Sequence, residues 1–572
     1  MNIIRRPSCE DAHLSSELHP KIRQIYASRG IKDTTELDRS TRSLAHYNQL
    51  KGVDAAVVVL AEAIQQQKKI IIVGDFDADG ATSTALCMLA LTQLGSTKHD
   101  FLVPNRFDFG YGLSPEIVEV AHQNGAELII TVDNGISCIA GVALAKRLNI
   151  DVVVTDHHLP SETLPAADAI VNPNQPGCEF ISKNLAGVGV AFYLMLALKT
   201  HLQQQGWFEA QRIAVPNLAN LLDIVAVGTV ADVVTLDTNN RVLVHQGIQR
   251  IRSSKCRPGI NALVDVAGRS KKALVASDLG FVLGPRLNAA GRLDDMTVGI
   301  QCLLTEDISE ARELAVRLDS LNRERREIEA SMQEEAIKTL EGLELNASDM
   351  PDGIVLFEPD WHQGVIGILA GRIKDKYFRP TIAFAHQDDD VVKGSARSIP
   401  GLHIRDLLED INCRYPDIIE KFGGHAMAAG LSLSVNNLEA FKKVFEQVCK
   451  EWLEGRSLQG EILTDGCLSK DEFSLGFAQL LKDSGPWGQG FAEPIFDDVF
   501  EIKDQRLVGS KHLKMMVEHE SGQLIDAIAF NVDLQQWPNK QARRAQLAYK
   551  LDINEFRGKV SLQLMVESLQ AI

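Results

Sequence analysis

Cysteines are few and unpaired in this sequence, and long apolar runs are absent. The nine cysteines lie scattered from Cys9 to Cys467 without a CxxC pair, which argues against a disulfide framework and a zinc knuckle. The longest apolar run, VAFYLMLAL, is far shorter than the roughly 20 residues that span a bilayer, and the opening residues carry no apolar signal segment. We therefore expect a cytoplasmic protein with no membrane partner.

Basic residues are also fewer than acidic residues. The chain has 59 basic and 76 acidic residues, a formal net charge of -17, which argues against nonspecific duplex binding through a basic surface. A local groove can still be positive, so a nucleic-acid channel is not excluded.

The 572 residues exceed the roughly 250 to 300 at which single cores stop growing, and we expect at least three folded units.

Short β-branched runs alternate with helical patterns between Lys69 and Asp156. The runs KIIIV, ELIITV and DVVVT are separated by ATSTALCMLALTQL and ISCIAGVALAKRL, which predicts βαβ units and a parallel sheet covered on both faces. Ser114-Pro115 predicts a helix start, and Gly125 predicts its end. We assign residues 49–304 to this α/β domain, after an N-terminal extension of residues 1–48 without an interpretable motif.

The remaining chain is predicted to hold a connector and two further domains. The charged, proline-free residues 305–349 predict a helix that bridges two domains, and an ordinary surface helix is the alternative. In residues 350–455, GIVLF and TIAFA flank a helical pattern after HQGVIGILAGRI, which predicts a smaller α/β domain. In residues 456–572 the strands HLKMMVEH, LIDAIAF, LAYKLDINEF and KVSLQLMV, with no helix signal, predict a small closed β-barrel.

Carboxylates and histidines follow the predicted strands of the first domain. They are Asp75, Asp77 and Asp79 after KIIIVG, Asp133 after ELIITV, and Asp156, His157 and His158 after DVVVT. Ligands bind outside the carboxyl ends of strands in open α/β sheets, so these side chains are expected on one ligand-binding edge. Asp232, which follows the apolar stretch VAVGTVA, is a further candidate.

Each of these groups has a purely structural alternative. A turn with a helix N-cap accounts for the first three aspartates, and a satisfied loop pair accounts for the two histidines. Crowded carboxylates raise one another's pKa values, however, so their coincidence at one edge favours bound metal. Oxygen ligands with one imidazole suit Mg²⁺ or Mn²⁺ better than zinc. Two such ions are the usual apparatus of phosphoester hydrolysis.

The ordered set of motifs resembles the DHH phosphoesterase superfamily. The triplet Asp156-His157-His158 is accompanied by GDFDADG, TVDNG, GTVAD, GPRLNAAGR, SARS and GGHAMAAG, and the last resembles the signature of the companion DHHA1 domain. The similarity runs from about residue 45 to the end and is closest to a bacterial branch of single-stranded-DNA-specific 5′-to-3′ exonucleases. It implies an α/β architecture, in which a parallel-sheet DHH domain is joined by a long helix to a smaller DHHA1 domain and followed by an OB-fold barrel.

The resemblance also implies roles for the clustered side chains. The implied metal ligands are Asp75, Asp77, Asp79, Asp133, His157 and Asp232, with Asp79 or Asp133 bridging two Mn²⁺ or Mg²⁺ ions. Asp75 stands where smaller superfamily members have a histidine, so its direct ligation stays open. Asp156 would orient or supplement the ligands. His158 would contact the scissile phosphate or help the leaving oxygen depart.

A further set of residues is implied to contact DNA. Arg106, Ser395 and Arg397 would grip a 5′-phosphate across an interdomain cleft, because an arginine fork binds two oxygens at once. Other implied contacts are Tyr111, Arg286, Asn288, Arg292, Trp361, His362, Gly424 and His425. Candidate groove residues of the barrel are Lys511, Lys514, Arg543, Arg544, Tyr549 and Lys550. A solvated surface charge, a core position for Trp361 and a tight glycine turn are the alternatives.

The implied activity is release of 5′-mononucleotides from single-stranded DNA by two-metal-ion hydrolysis, in recombination and repair. The resemblance implies a single-strand-binding protein and a helicase as partners, and we expect a monomer associated with the nucleoid. A small-substrate DHH hydrolase and a noncatalytic single-strand-binding relative are the alternatives. The long connector and the barrel argue against the first, and the intact motif aspartates and histidines argue against the second.

Overall fold

The computed structural model describes residues 2–105, 112–341, 350–388, 390–456, 458–534, 536–556 and 558–572. The chain divides into two compact units. The larger unit contains residues 3–319 and 462–572, and the smaller one contains residues 320–461 with the first two residues. Among the helices of the described ranges, none combines the length and the apolar character that crossing a membrane requires.

A five-stranded parallel sheet forms the centre of the larger unit. Its strands are β2 (Ile70–Gly74), β3 (His99–Leu102), β4 (Leu128–Val132), β5 (Asp151–Thr155) and β6 (Ala169–Val171). Strand β1 (Asn2–Arg5) precedes them in the chain and lies outside this sheet. The sheet order is β3-β2-β4-β5-β6. Every residue of β2 and β4 is buried, as expected where helices cover both faces. The predicted parallel sheet is confirmed, and the two edge strands β3 and β6 are additional to the predicted runs.

Helices surround this sheet. They are α1 (Pro20–Ser28), α2 (Val53–Gln65), α3 (Ala78–Leu94), α4 (Pro115–Gln123), α5 (Ile139–Arg147), α6 (Gly187–Gln204), α7 (Trp207–Gln211), α8 (Leu222–Ala231), α9 (Thr238–Arg252), α10 (Pro258–Val266), α11 (Ala276–Asp278), α12 (Gly284–Leu293) and α13 (Thr297–Leu304). The predicted start of α4 is confirmed, because the Ser114 hydroxyl accepts from the Ile117 N–H at 3.4 Å. Gly125, just beyond its end, has the positive φ of 76° that favours glycine.

One unbroken helix, α14 (Ile308–Glu341), follows. Its 34 residues give a length of about 50 Å, and no glycine or proline interrupts them. Its first part belongs to the larger unit, and its residues from Ser320 onward belong to the smaller one. The predicted connector helix is therefore confirmed, while its predicted end at residue 349 lies outside the described residues.

The smaller unit is built on a mixed sheet. Its elements are β7 (Ile354–Phe357), α15 (Ile366–Tyr377), β8 (Thr381–His386), β9 (Val391–Arg397), α16 (Ile404–Arg414), β10 (Lys421–Gly424), β11 (Ala428–Ser434) and α17 (Leu438–Leu453). The order is β10-β11-β9-β8-β7, and only the β7–β8 pair is parallel. Buried residues of α16 and α17 pack on one face around Phe384, Phe441 and Phe445.

A closed barrel completes the larger unit. After β12 (Glu461–Thr464) and α18 (Leu475–Asp483), its strands are β13 (Phe496–Val508), β14 (His512–Glu518), β15 (Leu524–Ala529), β16 (Arg544–Phe556) and β17 (Lys559–Ala571). The strand order is β13-β14-β15-β17-β16, and the β13–β16 pair closes the barrel, with β15 and β17 parallel. This is the Greek-key arrangement of an OB-fold. The predicted barrel is confirmed. One helix, α18, also forms in this region ahead of the barrel strands, where we noted no helix signal in the sequence.

The N-terminal extension packs against the segment that precedes the barrel. The Arg29 side chain is 2% exposed and forms two bonds to Asp465, from Nη1 to Oδ1 at 2.7 Å and from Nη2 to Oδ2 at 2.9 Å. Its Nε donates to the Ala492 carbonyl at 2.6 Å. The Tyr26 hydroxyl donates to the Ser484 carbonyl at 2.8 Å. These bonds hold α1 to residues that lie more than four hundred positions later in the sequence.

We predict that Arg29→Ala weakens the docking of α1 by about 3 kcal/mol, because it removes the two close bonds to the buried Asp465 carboxylate and leaves Arg6, at 3.9 Å, as its nearest cation. Hydrogen exchange of the α1 amides measures this loss. Arg23→Ala is the matched control in the same helix, since Arg23 pairs with Asp11 at 3.1 Å in a half-exposed position and should cost about 1 kcal/mol or less. Equal loss of protection in the two variants would contradict the prediction.

Candidate metal centre

Three aspartates come directly after three neighbouring strands. Strand β2 pairs in parallel with β4, and β4 with β5, so that Gly74, Val132 and Thr155 lie side by side at the strand ends. The next residues, Asp75, Asp133 and Asp156, are all buried at this edge. The strand register thus confirms the expectation that these carboxylates converge.

The first motif turns tightly into α3. The Asp77 carboxylate caps this helix, because its Oδ1 accepts from the N–H groups of Asp79 at 2.9 Å and Gly80 at 3.0 Å. A Cβ at Gly80 would lie 2.4 Å from the Asp75 carbonyl oxygen, so only glycine allows the turn to close. The structural alternative, a turn with an N-cap, therefore describes Asp77 correctly. Because both of these bonds go to Oδ1, the carboxylate can also ligate a metal ion through Oδ2.

Asp79 lies wholly inside the unit at the start of α6. Its Oδ2 accepts from the Gly187 N–H at 2.6 Å, and its Oδ1 accepts from the Val188 N–H at 2.9 Å. Burial, followed by the nearby charge of Asp77, raises the pKa of Asp79 to about 7, although the two backbone hydrogen bonds act in the opposite direction. The carboxylate is thus fixed in place by a helix N-terminus but carries uncompensated repulsion.

One imidazole nitrogen faces three carboxylates. The distances from His157 Nε2 are 3.1 Å to Asp133 Oδ1, 3.5 Å to Asp232 Oδ2 and 3.9 Å to Asp79 Oδ2. Burial and the charge of His158 lower the pKa of His157 to about 4, which leaves a neutral ring at physiological pH. The Leu185 carbonyl interacts with the same ring, as carbonyls do with the histidine ligands of metal ions.

Asp133 belongs to more than one potential ligand group. Ligand atoms lie within 4.8 Å of one another in three sets: Asp75, Asp77 and Asp133; Asp79, His157 and Asp232; and Asp133, His157 and His158. Burial first, and then the charges of four neighbouring aspartates, raise the pKa of Asp133 well above its ordinary value. Asp232, at the end of α8, has a pKa raised by the same two causes.

This donor set fits a divalent cation. Carboxylate oxygens outnumber a single neutral imidazole, which is the preference of Mg²⁺ and Mn²⁺. A cation would also remove the repulsion that raises the carboxylate pKa values.

Asp156 supports the two histidines. Its Oδ1 accepts from His158 Nδ1 at 2.7 Å and from the backbone N–H groups of His157 and His158 at 2.7 and 3.0 Å, while Oδ2 accepts from the Ile136 N–H at 2.9 Å. Burial is the largest effect and acts to raise the pKa of Asp156, but the hydrogen bonds from His158 and the charges of both histidines together outweigh it, and the pKa is lowered. Burial acts to lower the pKa of His158, but the same bond and the charges of Asp156, Asp75 and Asp77 together raise it. Asp156 therefore positions the histidine pair.

Helix α12 braces the first motif. The Asn288 side-chain oxygen accepts from the Ala78 N–H at 2.8 Å, and a Cβ at Gly291 would lie 1.8 Å from the Phe76 carbonyl oxygen. Arg286 is 8% exposed and donates to Asp319 from Nε at 3.0 Å. Arg292, in the last turn, is half-buried. Two of the predicted substrate contacts, Arg286 and Asn288, thus have their polar atoms engaged inside the larger unit.

The predicted phosphate residues of the smaller unit share one strand. Ser395 and Arg397 lie two positions apart on β9, and Arg397 Nη1 donates to the Ser395 hydroxyl at 3.1 Å. A Cβ at Gly367, in the first turn of α15, would lie 2.8 Å from Arg397 Nη2 and 2.9 Å from Ser395 Oγ. Glycine therefore lets this helix start beside the pair. Arg106 and Tyr111 lie outside the described residues.

The other predicted contacts of the smaller unit differ in exposure. Trp361 is 6% exposed and donates from Nε1 to Glu335 at 2.9 Å, so the core alternative describes it. His362 is half-buried, and its Nδ1 accepts from the Gly364 N–H at 3.0 Å. Gly424 has a φ of 146°, and His425 is exposed in the turn between β10 and β11.

The candidate groove residues of the barrel are divided between its interior and its surface. Tyr549 is buried and donates to Asp498 at 2.6 Å, so its ring is not available for stacking on a base. Lys514 pairs with Asp526 at 3.5 Å, and Lys550 pairs with Glu493 at 3.0 Å. Lys511, Arg543 and Arg544 are exposed.

Sequence reasoning missed one side chain that shapes the sheet edge. The Asn134 Nδ2 donates to the carbonyls of Val73 at 3.0 Å and Val132 at 2.9 Å, and so ties the ends of β2 and β4 together. The motif TVDNG contains this asparagine, but Asn-Gly is also an ordinary turn sequence. The backbone donors Gly187 and Val188 were likewise missed, because any residue type supplies an N–H.

Models of three protein families match the chain. The DHH family N-terminal domain matches residues 69–229, the DHHA1 domain matches residues 351–451, and the RecJ OB domain matches residues 464–568. These matches follow the predicted order of domains and confirm the resemblance to DHH phosphoesterases.

Known proteins are similar over the whole chain. The single-stranded-DNA-specific exonuclease RecJ of Escherichia coli (strain K12) is 58% identical over 569 residues, which are 99% of each chain. The crystal structure of RecJ in complex with Mn²⁺ from Thermus thermophilus is 28% identical with a TM-score of 0.81, covering 100% of this chain and 80% of that one. The corresponding complex with Mg²⁺ is 26% identical with a TM-score of 0.75, covering 100% and 79%.

We predict that Gly187→Ala destabilises the larger unit by about 1 to 3 kcal/mol, because the new Cβ would lie 2.6 Å from Asp133 Cβ. Urea unfolding followed by circular dichroism measures the change. Gly189→Ala is the control in the same helix, where a Cβ would meet only the end of the Leu185 side chain at 3.1 Å and helix propensity favours alanine by up to about 1 kcal/mol. Equal midpoints for the two variants would refute the steric argument.

Proposed function

Because the chain belongs to the RecJ family of single-stranded-DNA-specific exonucleases, we propose that it degrades single-stranded DNA from the 5′ end and releases 5′-mononucleotides. The reaction is phosphodiester hydrolysis with two divalent metal ions, Mn²⁺ or Mg²⁺. The observation that carries this proposal is the convergence of Asp79, Asp133 and Asp232 on Nε2 of the neutral His157.

Two groups of side chains would hold the ions. Asp75, Asp77 and Asp133 form one group, and Asp79, His157 and Asp232 form the other. Asp133 would contribute to both groups, because its Oδ1 also lies 3.1 Å from His157 Nε2. When bound, such ions supply a nucleophilic water of lowered pKa and stabilise charge on the phosphoryl oxygens.

The remaining motif residues orient the reactants. Asp156 accepts from His158 Nδ1 at 2.7 Å, which fixes the ring and leaves Nε2 as the nitrogen that contacts the scissile phosphate or the leaving oxygen. Asn288 and the helix start at Gly187 hold the first motif and Asp79 in place. Their role is positioning, and we assign the same role to the buried Arg286.

Ser395 and Arg397 are proposed to bind the 5′-phosphate. A guanidinium beside a hydroxyl and a helix start offers the donors that a terminal phosphate accepts. Support comes from Arg397 Nη1, which lies 3.1 Å from the Ser395 hydroxyl. Arg106, Tyr111, Arg292, His362, Gly424 and His425 stay predicted contacts of the same DNA end.

Membership in this family also suggests the setting of the reaction. We propose that a single-strand-binding protein presents the DNA, that a helicase opens duplex ends, and that the enzyme works as a cytoplasmic monomer near the nucleoid in recombination and repair.

The test of this function uses a 5′-phosphorylated single-stranded oligonucleotide labelled separately at each end. With Mn²⁺ we expect the 5′ label to appear first as mononucleotide, and a blunt duplex to stay intact. Asp133→Asn should lower kcat more than about 100-fold, whereas Asp54→Asn, an exposed change in α2, should leave it unchanged. DNA that is bound but uncut would replace the proposal with the binding-protein alternative, and hydrolysis of pyrophosphate alone would replace it with the small-substrate one.

A second prediction concerns the 5′-phosphate. Arg397→Lys should lower the preference for a 5′-phosphorylated over a 5′-hydroxyl substrate by about 10- to 100-fold, because a lysine cannot form the paired hydrogen bonds of a guanidinium. The measurement is the ratio of kcat/KM for the two substrates. Arg414→Lys is the control, since Arg414 is exposed on α16 and pairs with Asp410 and Glu451. An unchanged ratio in Arg397→Lys would remove this residue from the phosphate site.

A further inference from the structure

Three adjacent strands of the smaller unit carry cations and no carboxylate. The sequences are VVKGSAR for β9, KFGG for β10 and AAGLSLS for β11. They contain Lys393, Arg397 and Lys421 but neither aspartate nor glutamate. Within the strand bounds this reverses the sign of the chain's net charge of -17, while Asp390 and Glu420 lie directly before β9 and β10. The cations on the strands attract an anionic ligand.

The cations lie on the open face of the sheet. Successive side chains of a strand alternate between faces, and Val392, Ala396, Ala429 and Leu431 point into the core formed with α16 and α17. Side chains at the intervening positions point the other way. There, α15 packs against β8 and β9, while Lys393, Lys421, Gly423 and Gly430 are exposed.

Strand register arranges these positions in two parallel rows. Ser432 lies opposite Lys393 on one side and Lys421 on the other, so two lysines flank one hydroxyl. In the neighbouring row, Gly430 lies opposite Ser395 and Gly423. The rows are two residues apart along each strand, a separation of about 7 Å.

The two rows resemble each other in chemistry. Ser395 receives the guanidinium of Arg397, which lies one row further along β9 and reaches back to the Ser395 hydroxyl at 3.1 Å. The row of Lys393, Ser432 and Lys421 likewise combines a hydroxyl with cations. Gly423 and Gly430, which lie beside Ser395, have no side chains. Their absence leaves room for a sugar above β10 and β11. An extended single strand places neighbouring phosphates at a separation comparable with that of the rows.

We propose that Lys393, Ser432 and Lys421 bind a backbone phosphate next to the phosphate held by Ser395 and Arg397. The ligand is the sugar-phosphate backbone of a single-stranded nucleic acid, and these residues contact no base, so the site adds affinity without sequence preference. This inference rests on the proposed function for the identity of the ligand and extends it by a second phosphate position.

The test compares the unmodified protein with the variant Lys393→Gln/Lys421→Gln. Fluorescence anisotropy of a 5′-phosphorylated oligothymidine, in chelator so that no cleavage occurs, gives the affinity over a series of salt concentrations. Each phosphate contact on a single strand contributes a slope of about -0.7 to log K against log salt. Because one phosphate contact is lost, we expect the slope to become shallower by about 0.7, with weaker binding at low salt.

Two further variants make this result specific. Lys443→Gln/Lys450→Gln removes the same charge from exposed positions of α17, which packs on the opposite face, and should leave the slope unchanged. Lys393→Arg/Lys421→Arg keeps the charge and should keep the slope. A slope in Lys393→Gln/Lys421→Gln equal to that of the α17 variant would overturn the second phosphate position.

Hydrolysis by the unmodified protein separates this inference from the function on which it rests. If the unmodified protein degrades the oligonucleotide with Mn²⁺ while the glutamine variant keeps its slope, the second phosphate position is wrong and the exonuclease function stands. If the slope of the glutamine variant becomes shallower as expected but the unmodified protein cleaves nothing, the second phosphate position stands and the exonuclease function is wrong.

Discussion

Repulsion among buried aspartates is the constraint on which the metal centre depends. The carboxyl ends of β2, β4 and β5 bring Asp75, Asp133 and Asp156 to one edge, where burial and mutual charge raise the pKa values of Asp79, Asp133 and Asp232. Two helices begin at the same edge and direct N–H groups at Asp77 and Asp79. The partial positive charge of these helix starts offsets part of the repulsion, and a divalent cation is the ligand suited to offset the remainder.

Small residues let the elements around this edge approach closely. A Cβ at Gly228 would lie 2.2 Å from the Thr82 hydroxyl, between α8 and α3. This contact places the end of α8, and with it Asp232, beside the first motif. Glycine at residues 187 and 291 plays the same part for α6 and α12. The site therefore depends on these glycines as much as on its acidic residues, because a methyl group at any of the three positions would push neighbouring elements of the site apart.

The sequence predicted those features that local pattern encodes. Strands β2, β4 and β5 and most barrel strands follow from apolar periodicity, and the N-cap of α4 follows from the Ser-Pro pair. The convergence of aspartates follows from their position after parallel strands. Edge strand β3, with the sequence HDFL, has no apolar run to mark it, and acidic residues interrupt the pattern of β13. Other features depend on contacts across long sequence separations, such as the bond between Asp79 and Gly187, 108 positions apart. Residue type alone did not show that Arg286 and Trp361 face inward.

The docking of α1 fixes an order of events during synthesis. The Tyr26 hydroxyl and the Ser484 carbonyl that it binds are 458 positions apart, so α1 is made long before its partner. At roughly 5 to 20 residues per second, a ribosome needs about 25 to 90 s to cover that distance. The parallel sheet, whose strands are complete by Val171, has time to assemble first. Helix α1 therefore reaches its native position only after the segment around Ser484 has been made, late in synthesis.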